Sequence, residues 1–282
     1  MTSTLTTAVT PQANPRVIVT RPAREAAEWV QSLSQAGLQA VALPLIDILP
    51  ADDLSPIHRA WQRLHGYAAV MFVSANAVAG FFESKPAEYQ WLIPQDATEI
   101  IASPRAWATG PGTIQALQHA GVPPELMDAP PPETAQFDSE ALWQRVESQV
   151  RQGQRVLIVR GSDGHPMRDA QGVGRDWLAS RLTQAGVVVD FVVAYQRGLP
   201  RWSPAQVKLA VDAACDGSIW LFSSSEALAN LRTLLPSQDW SAVRAVATHA
   251  RIAEAAKAAG FSAVSESRPT VMNIVGSIES IR

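Results

Sequence analysis

The chain repeats itself, and that limits what it can fold into more than any other feature. Arg16-Val-Ile-Val-Thr-Arg21 returns as Arg155-Val-Leu-Ile-Val-Arg160, and Leu33-Ser-Gln-Ala-Gly37 returns as Leu182-Thr-Gln-Ala-Gly186. The first pair is offset by 139 positions and the second by 149, so the later copy carries about ten extra residues, assigned to the polar, Gly-rich stretch from Gly161 to Gly174. A second unit recurs as well. Phe72-Val-Ser-Ala-Asn-Ala-Val78 matches Phe222-Ser-Ser-Ser-Glu-Ala-Leu228, Arg105-Ala-Trp-Ala-Thr109 matches Arg244-Ala-Val-Ala-Thr248, and Gly121 matches Gly260. The order is X–Y–X′–Y′. A chain written twice from one unit has to fold each copy as the same supersecondary piece.

Each X is a short β-branched run, an amphipathic helix, a Gly stop and another apolar run; in the first copy these are Val17–Thr20, Ala23–Ala36, Gly37 and Leu38–Leu43. Gly just past a periodic stretch is the usual signal for a helix C-terminus. Each Y adds three short strands alternating with helices: Ala68–Val73, Arg105–Ala108 and Leu126–Met127, then Ser218–Phe222, Val243–Ala247 and Ala263–Val264. Apolar strands alternating with helices predict parallel sheets covered on both faces. Two X strands plus three Y strands predict two doubly wound, flavodoxin-like α/β domains with five-stranded parallel sheets. Periodicity leaves the pairing open. Either X–Y and X′–Y′ separate near Gln152, or Y–X′ forms a continuous middle domain and X with Y′ a discontinuous one. The second pairing requires two chain passes, near Pro44–Pro50 and Val193–Pro200, both extended and ending in proline.

The length of 282 residues, 47% hydrophobic and 17% charged, supplies two cores. No apolar run approaches the roughly 20 residues that span a bilayer. Residues 1–15, rich in Thr, Ala and Pro, read as a disordered tail and not as a secretory signal. A single cysteine, Cys215, rules out an internal disulfide or a Cys-based metal cluster and fits the reducing cytoplasm. A net charge of −3 carries no electrostatic footprint for nucleic acid. The basic residues are lopsided, twenty Arg against three Lys. Base composition can cause that bias; so can a need for planar partners of carboxylate or phosphate.

In doubly wound sheets ligands bind beyond the carboxyl ends of the strands, where helix N-termini present free N–H groups. Five spots meet that description: Thr20-Arg21-Pro22, Ser74-Ala75-Asn76, Thr109-Gly110-Pro111-Gly112-Thr113, Arg160-Gly161-Ser162 and Ser223-Ser224-Ser225. The bland reading of each is helix capping. Five facing one cleft would suit an anion held largely by backbone amides. No phosphate loop, dinucleotide fingerprint or Gly-x-Ser-x-Gly elbow occurs, and His58, His65, His119, His165 and His249 show no metal spacing. Tyr195 ends the apolar run Phe191-Val-Val-Ala, either as a half-buried aromatic with its hydroxyl at the rim or as a functional phenol. Trp29, Trp177 and Trp220 read as core packing.

The strand entering Thr20-Arg21-Pro22, the Gly37 turn leading to Pro44-Leu45-Ile46, Phe72 to Val78, Gly110 with Thr113 and Leu117, Val156 to Gly161, and Val192 to Tyr195 follow one another in that order. From about Arg16 to the C-terminus they resemble the uroporphyrinogen-III synthase family. The resemblance implies the second pairing: a discontinuous domain of residues 16–47 plus 198–282, a continuous one of residues 48–197, and a two-stranded linker near 44–50 and 193–200. It implies that hydroxymethylbilane, a linear tetrapyrrole with eight carboxylates, is closed to uroporphyrinogen III with loss of water and inversion of ring D, with no cofactor and no metal. With the composition above, the expectation is a cytoplasmic monomer without nucleic-acid or membrane partners. Tyr195 stands at the family's cleft tyrosine, the expected donor to the departing hydroxyl. Thr20, Arg21, Pro22, Ser74, Asn76, Gly110, Thr113, Arg160, Gly161, Ser223, Ser224 and Thr248 are the expected substrate contacts. Val73 and Ser223 stand where the family often has Thr, and Thr248-His249 and Ile252 replace the Gly and Thr of the matching Y positions. His249 is therefore either a ligand contact or a surface cap. The rival readings are a two-lobed binding module for a small polycarboxylate and another cleft enzyme, such as an isomerase with two opposed acid–base residues.

Overall fold

The computed structural model describes residues 15–89, 91, 104–131, 139–162 and 176–281. The tail, but for residue 15, and most of the Gly-rich insertion with His165 lie outside the described residues. The strands are β1 (Val17–Val19), β2 (Ala40–Ala42), β3 (Asp47–Pro50), β4 (Ala69–Phe72), β5 (Arg105–Ala108), β6 (Met127–Asp128), β7 (Arg155–Ser162), β8 (Val188–Gly198), β9 (Ile219–Phe222), β10 (Arg244–Ala247) and β11 (Ala263–Glu266). The α-helices are α1 (Ala23–Gln35), α2 (Ser55–Gln62), α3 (Ala75–Glu83), α4 (Pro111–His119), α5 (Ser139–Val146), α6 (Asp176–Gln184), α7 (Pro204–Ala213), α8 (Ser225–Leu234), α9 (Ala250–Ala258) and α10 (Val271–Ser280). None of these helices is long and apolar enough to cross a membrane.

The chain divides into two compact units, one made of the chain up to Asp47 together with Leu199 onward, the other of Ile48–Gly198. The first carries a parallel sheet of order β11-β10-β9-β1-β2. The second carries the order β3-β8-β7-β4-β5-β6, and β8-β7-β4-β5-β6 is parallel throughout. The X strands therefore share a sheet with Y′, and the Y strands with X′. The central strands β4 and β9 are buried along their whole length, as strands covered on both faces must be. The second sheet has six strands where five were expected. The extra one is β3, in a segment read from sequence as connecting chain. It pairs with β8, which runs on for eleven residues and whose Gly198 faces the Leu49 side chain.

The repeated Leu-x-Gln-Ala-Gly motif is a helix stop. Gly37 and Gly186 take φ of +84° and +78°, the left-handed region that glycine enters without steric cost. The amides of Leu38 and Val187 then reach back to the carbonyls of Leu33 and Leu182, each at 3.0 Å, while the glycine amides bond to Ser34 and Thr183. This is a Schellman closure, and all four of its apolar residues are buried.

In the second unit Trp61 stacks on Phe81 at 4.7 Å and donates its indole N–H to the Phe81 carbonyl. In the first, Trp220 meets Trp240 edge-on at 5.2 Å. Trp220 is core, as read from sequence, and Trp29 packs partly buried against the core of the first unit. Trp177 is a correction: it is 36% exposed, with Arg181 lying over its ring. Cation–π contact covers one face of such a ring without burying it.

Candidate functional site

Charge pairs gather at the amino ends of the strands. Arg155, at the start of β7, holds Asp190 through Nε and Nη2 at 3.2 and 2.7 Å, and that bond pushes the guanidinium pKa up. Burial, and then Asp190, push the neighbouring Tyr67 phenol up. Arg105 opens β5 and pairs with the buried Asp128. Arg16 pairs with Asp216 just ahead of β1 and β9. Arg244 opens β10 and donates to the carbonyls of Ile281 and Gly217. The arginines that lead the repeated motifs are thus internal clamps, which accounts for part of the arginine excess.

The carboxyl ends are built from helix starts and small residues. In the second unit Ser74 caps α3, its Oγ accepting the Ala77 amide at 3.2 Å. One strand over, Thr109 donates its hydroxyl to the Val73 carbonyl at 3.2 Å, and Gly110 precedes α4 without a side-chain cap. Thr113 is buried in the first turn of α4. Arg160 lies over the Phe191 ring at 4.9 Å. The Tyr195 hydroxyl stands 3.2 Å from Ser74 Oγ, and its ring rests against the backbone of Gly161. Ser74, Gly161 and Tyr195 are therefore brought into contact, with Asn76 in the first turn of α3 beside them.

The first unit repeats the plan with different fittings. Thr20 is buried and donates to the Leu221 carbonyl at 2.7 Å. It does not cap α1, whose N-cap is Pro22 without a side-chain bond. Arg21 pairs with Glu25 at 3.0 Å and lies over the Trp29 ring at 4.8 Å. Ser224 caps α8 by accepting the Glu226 amide at 3.1 Å, with Ser223 half-buried beside it. Thr248 hydrogen-bonds through its amide to Phe222. His249 is exposed and caps α9, its Nδ1 accepting the Arg251 amide at 3.1 Å, which gives this histidine a capping function.

Three partners escaped sequence reasoning: Trp29 beneath Arg21, Phe191 beneath Arg160, and Ala194, where the β7–β8 register slips. Phe191 was within reach, since it opens one apolar run and Arg160 ends another, and the two runs become neighbouring strands. The slip at Ala194 leaves no local mark.

Strand-end clusters of caps, hydroxyls and arginines on parallel sheets place this chain among α/β proteins with parallel sheets, a class in which ligands are generally received beyond the carboxyl ends of the strands. The family model described as "Uroporphyrinogen-III synthase HemD" matches residues 27–276. This chain belongs to the uroporphyrinogen-III synthase family. It is 32% identical over 148 residues to the uroporphyrinogen-III synthase of Chlorobaculum parvum, across 52% of this chain and 53% of that one. It is 25% identical over 221 residues to that of Proteus mirabilis, across 74% of this chain and 98% of that one. The chain thus spans about half the length of the Chlorobaculum relative and nearly all of the Proteus one. Among solved structures, the Helicobacter pylori enzyme superposes with a TM-score of 0.54 at 14% identity, covering 95% of this chain and all of that one. A Thermus thermophilus mutant enzyme gives 0.51 at 16%, covering 95% and 98%. These two likenesses concern the fold.

Proposed function

We propose that the protein cyclises hydroxymethylbilane to uroporphyrinogen III in the cytoplasm, as a monomer built of two flavodoxin-like units. In a chain of this family, the observation that carries the reading is the Tyr195 phenol, held by Ser74 at the carboxyl end of its sheet. Hydroxide leaves the hydroxymethyl carbon, which bonds to the ring D carbon already carrying the bridge to ring C. In that spiro centre the older bridge bond breaks, the bridge re-forms at the other α-carbon of ring D, and the proton there is lost. The sum is one water, with no change of oxidation state and no demand for a redox cofactor. The pyrrole nitrogen supplies the electron pair that expels the hydroxide. The protein has to assist departure and hold one folded conformer, so positioning outweighs acid–base power. Tyr195 donates to the departing oxygen and recovers the proton released at the closing carbon.

Thr20, Arg21, Pro22, Ser223, Ser224 and Thr248 in one unit, and Ser74, Asn76, Gly110, Thr113, Arg160 and Gly161 in the other, stand at strand ends suited to carboxylates. Arg21 and Arg160 are each backed by an aromatic ring. That backing orients a planar guanidinium, the geometry that suits a bidentate carboxylate. The test is chromatographic analysis of product isomers from freshly generated hydroxymethylbilane. A dominant type III isomer is expected; type I alone, equal to the enzyme-free control, overturns the reading and favours a binding module.

A further inference from the structure

We propose that Ser74 and Gly161 are positioning residues for Tyr195, and that a one-residue bulge at Ala194 aims its side chain; the catalytic part rests on the function proposed above. The ladder between β7 and β8 is regular from Arg155↔Val188 to Arg160↔Val193, and then Gly161 pairs with Tyr195. Ala194 is the extra residue. In an unbroken ladder Tyr195 would point the same way as Val193, away from Val192. The bulge sets it across from Gly161 and so on the face that Val159 and Val192 share. Helix α3 packs on β8 there: the place of a Cβ on Gly80 is 2.9 Å from the Ala194 carbonyl carbon. Helix α3 starts at Ser74, so the bulge turns the phenol toward the helix cap.

Two contacts then fix it. A Cβ on Gly161 would stand 2.6 and 2.8 Å from Cε2 and Cε1 of Tyr195, so the ring occupies space that only glycine leaves open. The hydroxyl meets Ser74 Oγ, itself held by the Ala77 amide. With one lone pair of Ser74 taken by that amide, its own hydrogen is available to the phenol oxygen. Donation from Ser74 to Tyr195 leaves the phenol proton for the departing hydroxyl and supports the negative charge left on the oxygen. Tyr195 is only 6% exposed, so the arrangement is a built seat and not a surface contact.

The test is a double-mutant cycle with Ser74→Ala, Ser74→Thr, Gly161→Ala and Tyr195→Phe, together with the NMR resonance of ring-labelled tyrosine, assigned to Tyr195 through Tyr195→Phe. A single positioned proton donor is worth about 100-fold at its lower end. With the pyrrole assisting, Tyr195→Phe is expected to lower kcat by about 10- to 100-fold. Ser74→Ala should lower kcat by a similar factor, Ser74→Thr should recover most of it, and Ser74→Ala should cost nothing further in kcat in Tyr195→Phe. Both Ser74→Ala and Gly161→Ala should move the Tyr195 resonance. Additive losses in the double variant, or a resonance unmoved by either substitution, overturn the proposal while the synthase reading stands. No type III product from the wild type, with the resonance moved, removes the synthase reading and the catalytic claim and leaves the seat. Should Gly161→Ala not fold, the Ser74 pair carries the test alone.

Discussion

One substitution made at two glycines tests the packing on which the site depends. Gly80 lies within α3 and Gly276 within α10. Helix propensity alone predicts that alanine stabilises both by about 1 kcal/mol. At Gly276 a Cβ would meet nothing within 4 Å, and that gain should appear in full. At Gly80 the Cβ would stand 2.9 Å from the Ala194 carbonyl carbon and closer still to its oxygen. Ordinary carbon contacts are about 3.5–4.0 Å, so α3 has to retreat by roughly 1 Å. The obstacle is backbone in the middle of a strand pair and cannot swing aside. Overpacking costs typically about 1–3 kcal/mol, and a backbone clash belongs at the upper end. Against the helix gain, the net for Gly80→Ala is a loss of about 2 kcal/mol. At about 2–4 °C per kcal/mol for units of this size, Gly80→Ala should melt about 4–8 °C lower. Gly276→Ala should melt about 2–4 °C higher. Differential scanning calorimetry on the two variants decides it. A Gly80→Ala protein as stable as the wild type would refute the close approach of α3 to β8, and with it the aim given to Tyr195.

Asp216 is held below the usual carboxylate range. Partial burial raises its pKa, but hydrogen bonds from the Ser218 hydroxyl and amide, and Arg16, outweigh it. A depressed folded-state pKa adds stability above the unfolded value near 4 that is lost as pH falls through the folded value. Asp216→Asn should therefore cost about 1 kcal/mol or less at pH 7, given the exposure of the pair, and progressively less as the pH falls below about 4. Equal urea midpoint shifts at pH 7 and near pH 3 would contradict this. Arg105→Ala leaves Asp128, 2% exposed, with Gln149 as its remaining side-chain partner among the described contacts. The expected loss is about 2 kcal/mol, under that of a fully buried pair because Arg105 is partly hydrated, with partial recovery on adding Asp128→Asn. An unchanged urea midpoint for Arg105→Ala would show the pair to be idle.

Much of the fold could be read from local signals, because its elements announce themselves locally. Short β-branched runs, a Gly in the left-handed region and Ser at a helix start act within a few residues, and those features stood in the sequence. What could not be read depends on which strand lies beside which. Asp47–Pro50 looks like connecting chain until β8 offers an edge. Arg16 and Asp216 are far apart in sequence, and only the β1–β9 pairing makes one the partner of the other. The site divides the same way. Ser74 and Arg160 were visible as strand-end residues, whereas the bond from Ser74 to Tyr195 depends on a slip of register between two strands.

The repeated segments differ where the chemistry is proposed. Counting at the Gly37–Gly186 offset, the position of Tyr195 is taken in the first copy by Ile46, and at the earlier offset that of Gly161 is taken by Pro22. Neither can serve: isoleucine has no proton to give, and Pro22 is committed as the N-cap of α1. Serines cap the matching helices in both units, arginines clamp the amino ends of both sheets, and one strand-end arginine per unit lies over an aromatic ring. The features held in common build the sheet and suit anionic groups, tasks that both copies of a duplicated unit can share. A proton donor for one leaving group is needed only once. The X′ copy meets that need with Gly161 and the bulge, set beside Ser74 of the first Y copy, and none suffices singly: without Gly161 the ring has no room, without the bulge it points away, and without Ser74 the hydroxyl is not held.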